Sequence, residues 1–237
     1  MQGPWLVLPT YNERENVEAI VRAAVAQLSS ASSDPHVLIV DDGSPDGTGQ
    51  IADRLSEELP AVEVLHRTQK QGLGRAYIAG FERALASGAE YVLEMDADFS
   101  HDPADLPRLL EAARDADLVL GSRYVRGGGV TDWGLFRLML SRGGSWYARR
   151  VLGVPIRDLT GGFKCFRAAT LEGIGYGDTH ADGYGFQIEL TYRAIKAGFR
   201  VEEVPIVFRE RQAGTSKMHA RIALEAVWKV PALRLRH

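Results

Sequence analysis

Apolar and polar positions along the first two-thirds of the chain follow two alternating rhythms. Short, nearly unbroken apolar runs at Trp5–Leu8, Val37–Val40, Val62–Leu65, Tyr91–Met95 and Leu118–Leu120 predict strands. Between them, apolar residues at helical spacing predict helices over Glu13–Leu28, Asp46–Glu58, Leu73–Ala86 and Pro103–Ala113. The first helix gathers Val17, Ile20, Val21, Ala24 and Leu28 on one face, and the last has proline in its first turn. Strands without polar alternation, separated by helices, imply a Rossmann-like α/β fold: a mostly parallel sheet with helices on both faces.

Beyond Arg123 the texture changes. Gly127-Gly128-Gly129 suggests a mobile hinge, and residues 133–152 mix large apolar residues with four arginines and no acid. A loop at Asp158–Lys164 leads into a short strand. A helix is predicted over Tyr184–Ala197, then a strand over Val201–Phe208 whose Pro205 suits a sheet edge. A final amphipathic helix is predicted over Thr215–Lys229. The 237 residues suit one catalytic domain, with 133–152 and 215–230 as candidate membrane-interface helices.

Composition mainly excludes. A net charge of −3 and no strongly basic region give no footprint for nucleic acid. The single cysteine, Cys165, rules out an internal disulfide and fits a reducing compartment. The N-terminus has no basic segment followed by a long apolar one, so it does not read as a secretory signal. No run approaches the roughly 20 apolar residues of a membrane span. A cytoplasmic protein, soluble or peripheral on the cytoplasmic face of a membrane, is expected.

In sheets of this kind ligands bind beyond the carboxyl ends of the strands. Those ends carry Pro9-Thr10-Tyr11-Asn12-Glu13, Asp41-Asp42-Gly43-Ser44, His66–Gly74, Asp96-Ala97-Asp98 and Gly121-Ser122-Arg123. Residues two apart in an extended segment point the same way, so Asp96 and Asp98 converge. Their mutual repulsion would be relieved by a hard divalent cation, Mg²⁺ or Mn²⁺, that also bridges a diphosphate. Ser100 or His101 could complete its shell. The competing reading is a solvated pair ahead of the helix at Pro103. Asp41-Asp42 could bind a base or ribose, or could serve the turn formed with Gly43, Ser44, Pro45, Asp46 and Gly47. Gly72-Leu73-Gly74 lacks the third glycine and the position of a dinucleotide fingerprint. Arg211 and Lys217 flank Gly214, an arrangement suited to a flap over a diphosphate or to a solvated linker.

Taken in order, these segments resemble the polyprenol (dolichol) phosphate mannose synthases, inverting family 2 glycosyltransferases with the A-type fold. The resemblance rests on Pro9–Glu13, Val40–Thr48, Gly72–Gly74, Met95–His101, Gly121–Tyr124 and Gly161–Lys164, and it spans Pro9 to about Lys217. It implies transfer of mannose from GDP-mannose to a polyprenyl phosphate with inversion. Pro9, Tyr11, Glu13, Val40 and Asp42 would hold the nucleoside. Asp96, Ala97 and Asp98 would take the metal and diphosphate, with Ser100 where some members carry an amide ligand. Arg123, Arg211 and Lys217 would serve the donor side, and Arg137 with Ser141 the acceptor phosphate.

A phosphate acceptor is already an anion, so it needs aiming rather than a general base. Catalysis would then rest on orientation and electrostatic support of the leaving diphosphate. The polyprenyl tail requires a membrane surface, and the 133–152 composition suits an interfacial helix, the alternative being a core helix with exposed arginines. A separate membrane-anchoring protein would be compatible with this. A UDP-sugar donor carrying glucose or another hexose is the nearest rival. A hydroxyl acceptor is a second rival; it would call for an aspartate base near Asp158 or Asp182.

Overall fold

The computed structural model describes residues 3–179, 183–210 and 230–235. The chain runs β1 (Trp5–Thr10), α1 (Val17–Ala31), β2 (His36–Asp41), α2 (Thr48–Glu58), β3 (Val62–His66), α3 (Leu73–Ala86) and β4 (Tyr91–Glu94). It continues through a 3-10 turn at Pro103–Asp105 into α4 (Leu106–Ala112) and β5 (Leu118–Ser122). Then come β6 (Gly129–Val130), α5 (Leu135–Leu152), β7 (Lys164–Arg167), α6 (Ala168–Ile174), α7 (Tyr184–Lys196), β8 (Val201–Pro205) and β9 (Val207–Phe208). Residues 230–235 are helical.

Seven strands form one sheet in the order β3-β2-β1-β4-β7-β5-β8, with β6 and β9 paired separately. Every pairing in the large sheet is parallel except those of β7, which runs antiparallel between β4 and β5. Alternate residues of β1 enter opposite cores. Leu6 and Leu8 meet α1, α2 and α4, while Trp5 and Val7 face α3 and α7. Burial on both faces is why the strands read as unbroken apolar runs. The α1 residues that the sequence placed on one face, Val17 to Leu28, are the buried ones. Helix α3 lies close on the sheet because Gly80 has no side chain; a Cβ there would come within 2.3 Å of Val7 Cγ1.

Two boundaries shift for local reasons. Helix α1 begins at Val17 rather than Glu13, because Asn12 is left-handed at φ 55° and the Glu13 amide donates to Thr48 Oγ1. Helix α2 begins at Thr48, after a left-handed Gly47, with Asp46 accepting from the Thr48 amide. The glycine run at 127–129 is no hinge. Gly129 belongs to β6 and pairs with Val207. A Cβ on Gly128 would fall 2.5 Å from the Ser122 carbonyl oxygen, so this position requires glycine. Pro205 does lie on an edge, at the end of β8. The helix expected over Thr215–Lys229, together with Arg211, Lys217 and Asp182, lies outside the described residues.

Candidate active site

The carboxyl ends of β1, β2 and β4 open on one side of the sheet. At the β1 and β2 ends, Asp41 and Asp42 diverge. Asp41 accepts from Thr10 Oγ1 at 3.2 Å and from the Ser44 amide at 3.1 Å, which is turn chemistry. Asp42 pairs with Arg67, Nη1 to Oδ1 at 2.5 Å. Burial raises the Asp42 pKa against the pull of Arg67. Pro9 and Val40 pair across β1 and β2, and the Lys70 ammonium lies 4.2 Å from the centre of the Tyr11 ring. Glu13 is buried and accepts from Asn16 Nδ2 at 2.9 Å. Val40 is 0% exposed and its side chain packs into the core, so of the residues named for the nucleoside it offers only backbone; Arg67 and Lys70 reach Asp42 and Tyr11 from the loop after β3. That loop was identified as a ligand segment, but neither cation was singled out within it.

At the β4 end, Asp96 and Asp98 follow the strand. The Ser100 amide donates to Asp98 Oδ1 at 3.0 Å, through a turn that puts Phe99 at φ 60°. Asp96 stands against Gly162 at the start of β7, and a Cβ on that glycine would lie 3.9 Å from both its carboxylate oxygens. Ser100 and His101 are buried beneath the pair. His101 Nδ1 has no hydrogen-bond partner and lies 3.9 Å from Asp96 Oδ2. Its pKa is pushed down to about 4 by burial, against the pull of Asp98.

The hydroxyl of Tyr77 registers this crowding of acids. It is fully buried, and burial together with the charges of Asp96, Glu94 and Asp98 raises its pKa well above the usual value. Among the described residues no group of three or more acidic, histidine or cysteine side chains forms a closed metal cage. Two oxygen donors in a field of excess negative charge fit Mg²⁺ or Mn²⁺, ions that take few protein carboxylates and complete their shell with water and substrate phosphate.

The β5 end carries Arg123, which is engaged more fully than its sequence suggested. Its Nε and Nη2 meet the two oxygens of Asp158 at 2.7 and 2.6 Å, its amide donates to the same carboxylate at 3.0 Å, and Nη2 reaches Thr160 Oγ1 at 2.8 Å. Burial works against both charges, but their attraction prevails, raising the Arg123 pKa and lowering that of Asp158. The guanidinium also lies within an aromatic cage of Tyr124, Trp133 and Phe208. Asp158, the base a hydroxyl acceptor would need, is thus held as an ion-pair partner.

Helix α5 borders the site. Arg137 stacks on Trp133 at 4.3 Å and pairs with Glu210 at 2.8 Å, while Ser141 accepts from the Tyr124 hydroxyl at 2.6 Å. Burial raises the Tyr184 pKa, against the pull of Arg123 and Arg137. Helix α5 turns most of its length outward. Only Ser145, Ala148 and Leu152 are buried, while Leu135, Phe136, Met139, Leu140 and Trp146 are 51–81% exposed. No helix among the described residues is long and apolar enough to cross a membrane.

Residues 5–175 match the glycosyl transferase family 2. The chain belongs to that family. It is 49% identical over 224 residues to the undecaprenyl-phosphate mannosyltransferase of Micrococcus luteus, covering 94% of this chain and 90% of the relative. It is also 49% identical over 231 residues to the polyprenol monophosphomannose synthase of Mycolicibacterium smegmatis, covering 97% and 86%. Solved structures share the fold. Glucosyl-3-phosphoglycerate synthase from Mycobacterium tuberculosis superposes with a TM-score of 0.71 at 18% identity, over 98% of this chain and 80% of that one. Mannosyltransferase PcManGT from Pyrobaculum calidifontis, in complex with GDP-Man and Mn²⁺, gives 0.68 at 22% identity, over 99% and 64%. The family 2 match ends at residue 175, before α7 and β8.

Proposed function

We propose that this family 2 enzyme transfers mannose from GDP-mannose to a polyprenyl phosphate, inverting the anomeric centre. The observation that carries the reading is α5 itself, an arginine-bearing helix with an exposed apolar face, joined through Ser141 to Tyr124 next to the Arg123–Asp158 pair at the β5 end. Such a helix suits an acceptor that is at once anionic and lipid-linked. The two bacterial relatives named for polyprenyl-phosphate mannosyl transfer support it.

Pro9, Tyr11, Glu13, Val40 and Asp42 bind the nucleoside, with Arg67 fixing the Asp42 carboxylate. Asp96 and Asp98, with Ala97 between them and Ser100 below, hold a divalent cation. That cation supplies charge neutralisation for the leaving diphosphate. Arg137 receives the acceptor phosphate after exchanging Glu210 for it, and Ser141 and Tyr124 order the adjoining helix face. The acceptor oxygen is already ionised and needs orientation rather than proton removal. Arg123, locked by Asp158, braces the loop between donor and acceptor sides. Residues 133–152 lie in the interface of the cytoplasmic leaflet, whose anionic headgroups attract Arg142, Arg149 and Arg150.

The test is transfer of radiolabelled mannose from GDP-mannose to a short polyprenyl phosphate, with Mg²⁺ or Mn²⁺ and with chelator. Metal-dependent, organic-extractable product is expected. Product from UDP-glucose alone would move the donor to the uridine series, and inertness toward every polyprenyl phosphate would sink the acceptor assignment.

A further inference from the structure

Beneath Asp96 lies a buried polar cluster that the transfer reaction does not use directly. Strand β7 places Lys164 opposite Glu94 in the antiparallel register with β4. Both are 0% exposed, and Gln187 of α7 beside them is 2% exposed. The Lys164 ammonium donates to the Gln187 backbone oxygen at 2.8 Å and to its side-chain Oε1 at 2.5 Å. Burial pushes the Glu94 pKa up to about 7, against the pull of the Lys164 ammonium and of the Gln187 side chain. Removing charges from water at this depth is costly, and an apolar trio of equal volume would serve stability as well or better.

Ammonium only donates, so the Gln187 oxygen must face Lys164 and the NH₂ must turn the other way. That Nε2 is buried without a partner. It points toward the bare Cα of Gly162: a Cβ there would lie 3.4 Å from Gln187 Nε2 and 3.9 Å from both oxygens of Asp96. The carboxamide and the carboxylate therefore border one space, left open by the absence of a side chain. Metal-ligating carboxylates are commonly held by hydrogen bonds from an outer shell, whose loss weakens metal binding.

We propose that Lys164 and Gln187 are positioning residues for Asp96: Lys164 fixes the carboxamide, and its NH₂ orients the carboxylate for a divalent cation. Glu94 balances the buried ammonium. This rests on the reading of Asp96 as a metal ligand under a nucleotide diphosphate.

Mn²⁺ binding to the full chain in the presence of GDP tests it, read from the spectrum of free Mn²⁺ by electron paramagnetic resonance. Gln187→Leu removes the NH₂. The double variant Glu94→Leu with Lys164→Met removes the anchor while leaving no unpaired buried charge. With thermal unfolding showing both folded, each is expected to bind Mn²⁺ about 10–100-fold more weakly than the unmodified chain. If a folded double variant keeps full affinity, the cluster only balances its own charges and the inference falls. An unmodified chain that binds no Mn²⁺ with GDP or UDP would overturn the metal reading itself, a different result from unaffected variants.

Discussion

Replacing Asp158 with alanine strands the Arg123 guanidinium in the protein interior. Arg123 is 5% exposed and Asp158 is 0% exposed. The substitution deletes the partners of Nε, Nη2 and the Arg123 amide, leaving Thr160 Oγ1 at 2.8 Å. Arginine cannot shed its proton to escape the penalty. An uncompensated buried charge of this kind costs about 3–5 kcal/mol. Urea unfolding should show that loss as a lower midpoint with an unchanged slope. The double variant Arg123→Met with Asp158→Leu should recover most of it, because an apolar pair needs no desolvation of charge. The pH dependence has a definite sign. Burial alone would raise the Asp158 pKa, but Arg123 outweighs burial and holds it below 3.8. The ion pair therefore contributes fully above that value, and its contribution is lost as pH falls through the lower folded-state pKa. An Asp158→Ala protein within about 1 kcal/mol of the unmodified chain would refute the buried-pair account.

Other outcomes follow from single contacts. Asp96→Asn should lower mannosyl transfer by roughly 10²–10³-fold, the scale for losing one electrostatic element of a transition-state site; full activity would remove Asp96 from it. Leu135→Ser with Phe136→Ser deletes two exposed apolar side chains worth up to about 1.5–3 kcal/mol each when fully buried. Flotation with anionic vesicles should fall at least about tenfold in partitioning, and unchanged flotation would dismiss α5 as the docking face. Gly80→Ala drives a methyl into Val7, so a net loss of about 1–2 kcal/mol is expected in thermal unfolding, overpacking outweighing the gain in helix propensity. The Cys165 thiol is wholly buried and its pKa is raised by that burial, so Ellman's reagent should label it only after denaturant is added.

Much of the architecture was legible because local periodicity reports burial directly. Five parallel-type strands and their helices could be located from apolar runs and 3.6-residue spacing, and α3 falls where its spacing put it, at Leu73–Ala86. The chemical segments were legible for a related reason: in a wound sheet functional loops follow strands, so Asp96, Asp98 and Arg123 announce themselves by position. Short elements escaped. Helix α6 spans seven residues, too few for a periodic signal, β6 has two, and the single strand expected over Val201–Phe208 divides into β8 and β9. The glycines at 127–129 suggested freedom when Gly128 in fact answers a close carbonyl approach.

The sequence by itself determined where five strands and their helices lie and that carboxylates follow the strands, since each depends on neighbours within a few residues. Which charges face one another was decided only in three dimensions. Arg123 and Asp158 are 35 residues apart, and Lys164 and Gln187 are 23 apart. Nothing in local spacing couples them. They meet because β7 enters the sheet antiparallel between β4 and β5, setting Lys164 opposite Glu94 and Gly162 against Asp96. The direction of that one strand is fixed by long-range packing on both faces of the sheet, to which hydrophobic periodicity along the chain is blind.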